Sequence, residues 1–450
     1  RDGEGQGGDG SALAIDATGT YGPAVTDTHT PSPVVADAPT APVQTCRSCA
    51  APLSHTLVDL GLSPLCETFI DAADAERGEV FYPLRAMVCD GCWLVQVGDY
   101  VAPDVIFDDT YPYFASYSDS WLAHARRYVD AMVDRLQLDE SSRVVEVGSN
   151  DGYMLQYMVQ RGIPSLGVDP TANTAAAAKE KGVDTLVDFF GLDVAKRLVA
   201  EGWSADLVAG KNVMAQVPDL NDFVAGLAEL VSPTGTVTIE FPHLVTMIEE
   251  LEFDTIYHEH FSYFSLVAVQ DVYARHGLVV TDVEELSTHG GSLRVYAQRS
   301  DGNPDVAPSV DALLAREREL GVDTLAFYED FAGDVARIRH ELVGFLQDAR
   351  AQGKHVVGYG APGKGNTLLN HAAIRSDLLE YLVDRNPVKH GRLTPGTRIP
   401  IFPPDRLAET KPDVILIMPW NLREEIAAQL AYTREWGAEL MVAIPQLTTL

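Results

Sequence analysis

The sequence predicts an α/β protein with three ordered parts, and three observations carry that expectation. At two places, residues 143–152 and 354–366, a short β-rich run ends in a glycine loop that opens a helix, and an aspartate closes the next strand about twenty residues later. Ahead of both stand two Cys-x2-Cys pairs, the spacing of a four-thiolate metal knuckle. At 450 residues the chain outgrows one ordinary core, and about three domains follow from that length.

Composition narrows the partners. Apolar residues make up 46%, as in a folded globular chain, while 65 acidic residues against 33 basic ones leave a net charge of −32. Such a field repels phosphate backbones, and no run of Lys and Arg offsets it locally, so nucleic acid is not an expected partner. No segment approaches the ~18 consecutive apolar residues of a membrane helix. The first residues lack the basic and apolar regions of a secretory signal. A soluble, cytoplasmic protein without a membrane partner is the expectation.

Residues 1–44 are Gly, Ala, Thr, Pro and Asp with few large apolar side chains. They cannot bury enough surface to offset the entropy of ordering and are expected to form a disordered leader. Residues 45–110 are expected to be a zinc-binding module with Cys46, Cys49, Cys89 and Cys92 as ligands. A redox reading suits less, because the motif occurs twice and neither copy opens a βαβ unit. With four sulfurs in place no position is left for water, so the metal is structural. Cys66 is left over and reads as an ordinary small side chain.

A middle domain is expected over 111–300. It opens on Tyr111-Pro-Tyr113-Phe-Ala-Ser-Tyr117 before an amphipathic helix from about 119 to 136. These tyrosines either line a pocket or staple the helix, with Tyr111 foremost in reach of a ligand. In the loop that follows, Gly148 allows close backbone approach to a nucleotide and Asp169 is placed for ribose hydroxyls. Glycine spacing does not choose between NAD and S-adenosylmethionine. The E-x-G-x-x-x-G form, with Glu146, Gly148 and Asn150, resembles the first motif of Rossmann-like methyltransferases, and Asp188-Phe189 falls where that fold contacts adenine. Asn212, after the next strand, completes the expected cofactor residues. Asn150 replaces the usual middle glycine.

The densest chemistry lies at Ile256-Tyr257-His258-Glu259-His260-Phe261-Ser262-Tyr263-Phe264. On an extended segment Tyr257, Glu259, Phe261 and Tyr263 would share one face, and His258, His260, Ser262 and Phe264 the other. A histidine beside a carboxylate suits a general base. His-x-His on one face also suits a metal, and an aromatic strand suits a core.

Over 301–450 a second Rossmann-like domain is expected, with long helices from about 310 to 351 and then Gly358-Tyr-Gly360-Ala-Pro-Gly363-Lys364-Gly365-Asn366, a formal G-x-G-x-x-G, with Asp384 closing the next strand. Alone this reads as NAD binding. The stiff Ala361-Pro362 turn and the placement of Lys364 suit a phosphate of a nucleotide sugar better. The bland reading is a degenerate domain without a ligand of its own.

In this order, the four-cysteine module, the Gly148-to-Gly152 loop, the Tyr257-to-Phe264 stretch and the glycine-rich C-terminal domain resemble the sugar C-methyltransferases that act on nucleotide-linked 4-keto-deoxyhexoses. The resemblance covers residues 46–450. It implies S-adenosylmethionine as methyl donor and a dTDP-linked 4-keto-deoxysugar as substrate, methylated at C-3, with C-5 as the alternative, in the deoxysugar chemistry of a secondary metabolite such as an antibiotic. It implies His260 as base, Tyr257 and Glu259 as its assistants at the sugar, and Tyr111 within the site. Tyr263, Lys364 and Asn366 are further expected substrate residues. The family's usual histidine after the cofactor strand is Gln216 in this chain. Deprotonation beside the ketone would leave an oxyanion, for which Tyr257 or Tyr263 is the expected donor. Two other readings stand beside this one: an NAD-dependent nucleotide-sugar oxidoreductase or epimerase, and a zinc-knuckle binding protein without catalysis.

Overall fold

The computed structural model describes residues 44–107 and 111–450. The expected leader lies outside the described residues save for Gln44. Among the described residues no helix is long and apolar enough to cross a membrane.

The middle of the chain builds a seven-stranded sheet in the order Leu278–Leu286, Ser292–Arg299, Val231–Pro242, Ala205–Lys211, Val144–Val147, Ser165–Asp169, Asp184–Val187. The last five strands of that order run parallel, and Ser292–Arg299 pairs antiparallel with both of its neighbours. Val144–Val147 is buried at all four positions, which is why it reads as an unbroken apolar run interrupted only by Glu146: helices cover both faces of a parallel sheet. The helix Asp119–Leu136 starts where the sequence places it, because Ser118 caps it by accepting from the Trp121 N–H, and it ends at Gln137 in the left-handed region. Its buried face carries His124, Ala125, Tyr128, Val129 and Met132, the i, i+4 spacing of an amphipathic helix.

The C-terminal part forms a six-stranded sheet in the order Ile401–Phe402, Leu382–Val383, Val356–Tyr359, Val414–Ile417, Glu439–Val442, Thr448–Thr449, parallel but for the last strand. The helices Pro308–Leu320 and Phe331–Ala351 precede it, separated at Gly321, whose φ of 85° ends the first.

The cysteine module contributes His55–Ser63, Tyr82–Val88 and Val95–Val97 to a four-stranded sheet whose fourth strand is Ser262–Tyr263. Tyr263 pairs with Val95 and Ser262 with Gln96, so the tail of the histidine stretch is a strand of the cysteine module. A second link joins Ile70–Asp71 to Arg392–Leu393. Leu57, Val88 and Val95 of the module share one buried cluster with Ile338, Leu342 and Val357. That shared core fixes the module to the C-terminal helices.

Candidate active site

The stretch 257–260 is not extended. Phe253–Thr255 is a single 3₁₀ turn, and the His260 N–H donates to the Tyr257 carbonyl at 2.9 Å. The period-two reading therefore fails, and Tyr257 and His260 meet instead of facing apart. The Tyr257 hydroxyl lies 2.9 Å from His260 Nε2, and His260 Nδ1 lies 3.0 Å from the Thr255 carbonyl oxygen. A carbonyl only accepts, so Nδ1 carries the proton and Nε2 offers its lone pair to the tyrosine. Burial lowers the basicity of His260 to about 4, partly offset by the Thr255 bond, so the ring is neutral at ordinary pH. Tyr263, expected at the substrate, stands edge-on to the ring at 6.3 Å between centres, with its hydroxyl 3.4 Å from the same Thr255 oxygen. His258 points away, with Nε2 3.1 Å from the Pro83 carbonyl, and the four-cysteine set is the only cluster of metal-ligating side chains among the described residues.

Glu259 turns the other way. Its carboxyl receives the Tyr111 hydroxyl at 3.2 Å and the Cys66 thiol at 3.4 Å. Burial and then the neighbouring Glu67 push it up to about 8, so it is mostly protonated at neutral pH. Cys66, read as an ordinary small residue, is thus a donor to this carboxyl. Tyr111 does more than staple a helix, because its segment is sewn to the cofactor loop. Asn150 Oδ1 accepts the Ala115 N–H at 2.9 Å, Asn150 Nδ2 donates to the Tyr113 carbonyl at 3.1 Å, and Asn173 Nδ2 donates to the Tyr111 carbonyl at 2.9 Å. This accounts for asparagine in place of glycine: it tolerates a φ of 46° and holds the tyrosine segment with both ends of its amide.

The two glycine loops are built alike. Asp169 accepts the Asn150 N–H at 2.8 Å and the Thr171 N–H at 3.0 Å; Asp384 accepts the Ala361 N–H at 2.7 Å and the Asn386 N–H at 2.7 Å. Each aspartate ties its loop to the following strand end. The two loops differ in what faces them. A Cβ on Gly363 would stand 2.8 Å from a Glu67 carboxylate oxygen and 2.9 Å from Cys66 Sγ, and Lys389 Nζ lies 3.5 Å from Glu67 and 2.8 Å from the Ala361 carbonyl. The chain's own carboxylate thus occupies the place where a dinucleotide's pyrophosphate would rest. Lys364, expected to face a phosphate, has its ammonium bonded to Asn421 and 3.9 Å above the Trp420 ring. Asn366 donates to the Cys66 carbonyl at 2.7 Å, although its Oδ1 is buried without a partner among the described residues. Asp188 forms an exposed ion pair with Arg197 at 2.7 Å, and Phe189 beside it is 44% exposed, an apolar ring open to solvent.

Family comparison decides between the readings. The model described as "Putative zinc binding domain" matches residues 46–107, a methyltransferase domain matches 121–283, and a C-methyltransferase C-terminal domain matches 287–445. The C-methyltransferase NovU of Streptomyces niveus is 36% identical over 405 residues, covering 90% of this chain and 96% of that protein. The chain belongs to this C-methyltransferase family. Solved structures with partial likeness include magnesium protoporphyrin IX methyltransferase (ChlM) from Synechocystis PCC 6803 with bound SAH, at 16% identity, 40% of this chain, 83% of that chain and a TM-score of 0.32. A SAM-dependent methyltransferase from Anabaena variabilis ATCC 29413 gives 12%, 40%, 86% and 0.33. Neither score carries weight beyond the likeness itself.

The residues of the methyltransferase fit its cofactor and metal. Glu146 is fully buried with neither oxygen in a well-formed hydrogen bond among the described residues, and burial lifts it to about 8 against the pull of Lys211 and the nearby Tyr153 hydroxyl. A cationic ligand would supply the missing charge and donors. Gly148 stands so close to Val213 that a Cβ would meet it at 2.9 Å, and an oxygen of Asn212 is likewise left without a partner. At the metal site Cys46 and Cys92 Sγ are 3.6 Å apart, Cys49 and Cys89 3.5 Å, and all four lie within 4.8 Å of one another. Four thiolates around one zinc at ~2.3 Å stand about 3.8 Å apart, which these distances match.

Several polar residues packed around the expected cofactor residue Asn212 gave no signal in the sequence. His289 bonds Asn212 at 2.8 Å. Glu240 is buried among His124 at 2.8 Å, Arg294 at 2.8 Å and Lys211 at 3.9 Å. Burial opposes its charge, yet Lys211, the hydrogen bond with His124 and Arg294 hold it at about 2. Each of these residues stands alone in its stretch of sequence, and only the register of Val231–Pro242 against Ser292–Arg299 brings Arg294 opposite Glu240.

Proposed function

We propose that the enzyme transfers methyl from S-adenosylmethionine to C-3 of a dTDP-linked 4-keto-deoxysugar, through an enolate made by His260, in the deoxysugar chemistry of a secondary metabolite. The observation that carries the reading is the Tyr257–His260 pair. Its Nδ1–H is fixed on Thr255 and its Nε2 lone pair faces a phenol. A neutral imidazole so oriented accepts a proton from carbon without first losing one, and a hydrogen-bonding partner that can swing aside keeps the lone pair from solvent.

Carbon methylation needs a carbon nucleophile, and a C–H beside a ketone is the accessible one. His260 Nε2 takes that proton, while Tyr257, displaced from Nε2 by the substrate, turns its hydroxyl toward the sugar. Glu259, neutral and already receiving Tyr111 and Cys66, has its own proton to donate to a sugar hydroxyl. S-adenosylmethionine supplies the electrophilic methyl group. The zinc stands apart from the reacting atoms, since its four thiolates close the coordination sphere.

Incubation with S-adenosylmethionine and a panel of nucleotide-linked sugars, read by mass and by proton NMR, tests this. A gain of one methylene on a dTDP-linked 4-keto sugar, placed at C-3, is the expected result. No gain with any 4-keto sugar, or equal transfer to sugars without the ketone, overturns it.

A further inference from the structure

A proton on carbon forms no hydrogen bond strong enough to guide a base to it, so the protein must aim the lone pair itself. In this chain the aim is set by one carbonyl. His260 Nδ1 lies 3.0 Å from the Thr255 oxygen, and the Tyr263 hydroxyl donates to that oxygen at 3.4 Å. Where the Thr255 carbonyl points therefore decides where Nε2 points. Thr255 closes the short turn Phe253–Thr255, and its own N–H and hydroxyl both donate to the Glu252 carbonyl, at 3.1 and 2.7 Å. Such bonds shape a turn without fixing it relative to the rest of the molecule.

The fixing comes from the C-terminal domain, on both sides of Thr255. Asp254 accepts the Trp420 indole N–H at 2.9 Å, and the Ile256 carbonyl accepts the Thr367 hydroxyl at 3.2 Å. An indole only donates and a carbonyl only accepts, so neither bond has a second orientation. All four residues are buried. Burial pushes Asp254 up to about 6 against Lys364 and the indole N–H, so at neutral pH it is largely a carboxylate and the indole bond is charge-assisted. Thr367 stands in the helix Gly363–His371, whose last residue meets the Phe253 ring edge-on at 5.6 Å between centres. The indole is itself confined. Lys364 lies over its ring, and on Gly290 of the middle domain a Cβ would stand 2.6 Å from it.

We propose that Trp420 and Thr367 are positioning residues for His260: by holding Asp254 and the Ile256 carbonyl they fix the Thr255 carbonyl between them, and through it the ring. What the aimed ring does rests on the function proposed above; that these two residues aim it does not. The second glycine domain then has a part in the reaction that requires no ligand of its own. The middle domain carries the cofactor loop, and the C-terminal domain orients the base against it.

The test compares wild type, Trp420→Phe, Thr367→Val and Thr367→Ser with a dTDP-linked 4-keto sugar and S-adenosylhomocysteine in deuterated water, following exchange at the carbon to be methylated. Trp420→Phe keeps an aromatic ring beneath Lys364 and removes the indole N–H; Thr367→Val keeps the shape and removes the hydroxyl. Each should slow exchange by about 10²-fold, the loss that a misplacement of about 1 Å brings, with S-adenosylhomocysteine affinity by calorimetry unchanged. Thr367→Ser restores the hydroxyl and should recover most of the rate. Trp436→Phe is the control, since that indole donates to the Pro412 carbonyl at 3.1 Å in the same domain, and it should leave exchange unchanged. Without substrate, the His260 Nδ1–H, identified by its absence in His260→Gln, should give a hydrogen-bonded proton resonance that Trp420→Phe and Thr367→Val broaden or abolish and Trp436→Phe does not. Wild-type exchange, or a wild-type resonance, in folded Trp420→Phe and Thr367→Val overturns the inference alone, as does equal slowing by Trp436→Phe. Should Trp420→Phe fail to fold, the two Thr367 variants decide by the same criteria. A wild type that neither exchanges nor methylates any 4-keto sugar overturns the proposed function, and the proton resonance then decides the positioning by itself.

Discussion

If His260 is buried as a neutral imidazole, acid should destabilise the protein through it by a calculable amount. Its basicity is lowered to about 4 in the folded chain, against about 6.5 for an unfolded histidine. The unfolded state therefore binds the proton first, and stability rises with pH. The contribution of His260 is complete above about pH 6.5 and is lost as pH falls toward 4. Between about pH 7.5 and 5 this one ring costs about 2 kcal/mol of stability, the free energy of protonating the unfolded histidine while the folded one stays neutral. Other groups titrate in that window, His289 among them, so the measurement is a difference. Urea unfolding of wild type and His260→Gln at both pH values should show the wild type losing about 2 kcal/mol more than the variant, whatever the variant's own stability at neutral pH. Equal losses would mean that the ring is solvated or charged in the folded chain, and the argument that it stands ready as a base with its lone pair free would fall. The same depressed basicity predicts that the acid limb of methylation does not follow a histidine of ordinary pKa but lies well below pH 6.

Two further outcomes follow from the geometry. Elemental analysis should give one zinc per chain, lost in Cys89→Ser, and removal of the metal by a chelator should abolish methylation, because Ser262–Tyr263 pairs with a strand only a few residues beyond Cys92. Asn150→Gly keeps the left-handed turn but forfeits the bonds to Ala115 and Tyr113, so residues 111–117 should exchange amide protons faster by about 1–3 kcal/mol of lost protection; Asn150→Ala should lose more, having the backbone penalty besides.

What could be read from the sequence was what depends on neighbours in the chain. The four cysteines announce themselves by spacing, the helix Asp119–Leu136 by its periodicity and its Ser118 cap, and both glycine loops by the residues that turn them. The geometry at Tyr257–His260 was hidden, because alternation assumes a strand and the 3₁₀ turn at Phe253–Thr255 is imposed by contacts elsewhere, including the Trp420 indole N–H donating to the buried Asp254 at 2.9 Å. Cys66 and His289 were equally invisible. One carries no motif, and the other is a single histidine in a hairpin turn; each gains meaning only from a partner 193 or 77 positions away. The C-terminal G-x-G-x-x-G pointed toward NAD for a sound local reason, since its loop and its Asp384 repeat the geometry of Asn150 and Asp169. What the pattern does not record is that Glu67 already fills the loop.

That filling assigns the zinc module its part. The Gly363–His371 helix begins with free N–H groups that favour an anion by about 0.3–1 kcal/mol when exposed and up to ~2 kcal/mol when partly buried. Glu67 takes this position, accepting the Gly363 N–H, and Lys389 stands beside it. One residue earlier in the chain, the Cys66 thiol reaches Glu259, and three residues later Ile70–Asp71 pairs with Arg392–Leu393. From the other arm of the module, Val95 pairs with Tyr263, three residues past His260. A module of this size cannot hold two such arms in register with its own small core, and four thiolates on one metal provide the constraint that the core lacks. With its coordination sphere closed by four thiolates the zinc is structural: it fixes the strand Ser262–Tyr263, the Cys66 thiol against Glu259 and the Glu67 carboxyl at the second glycine loop.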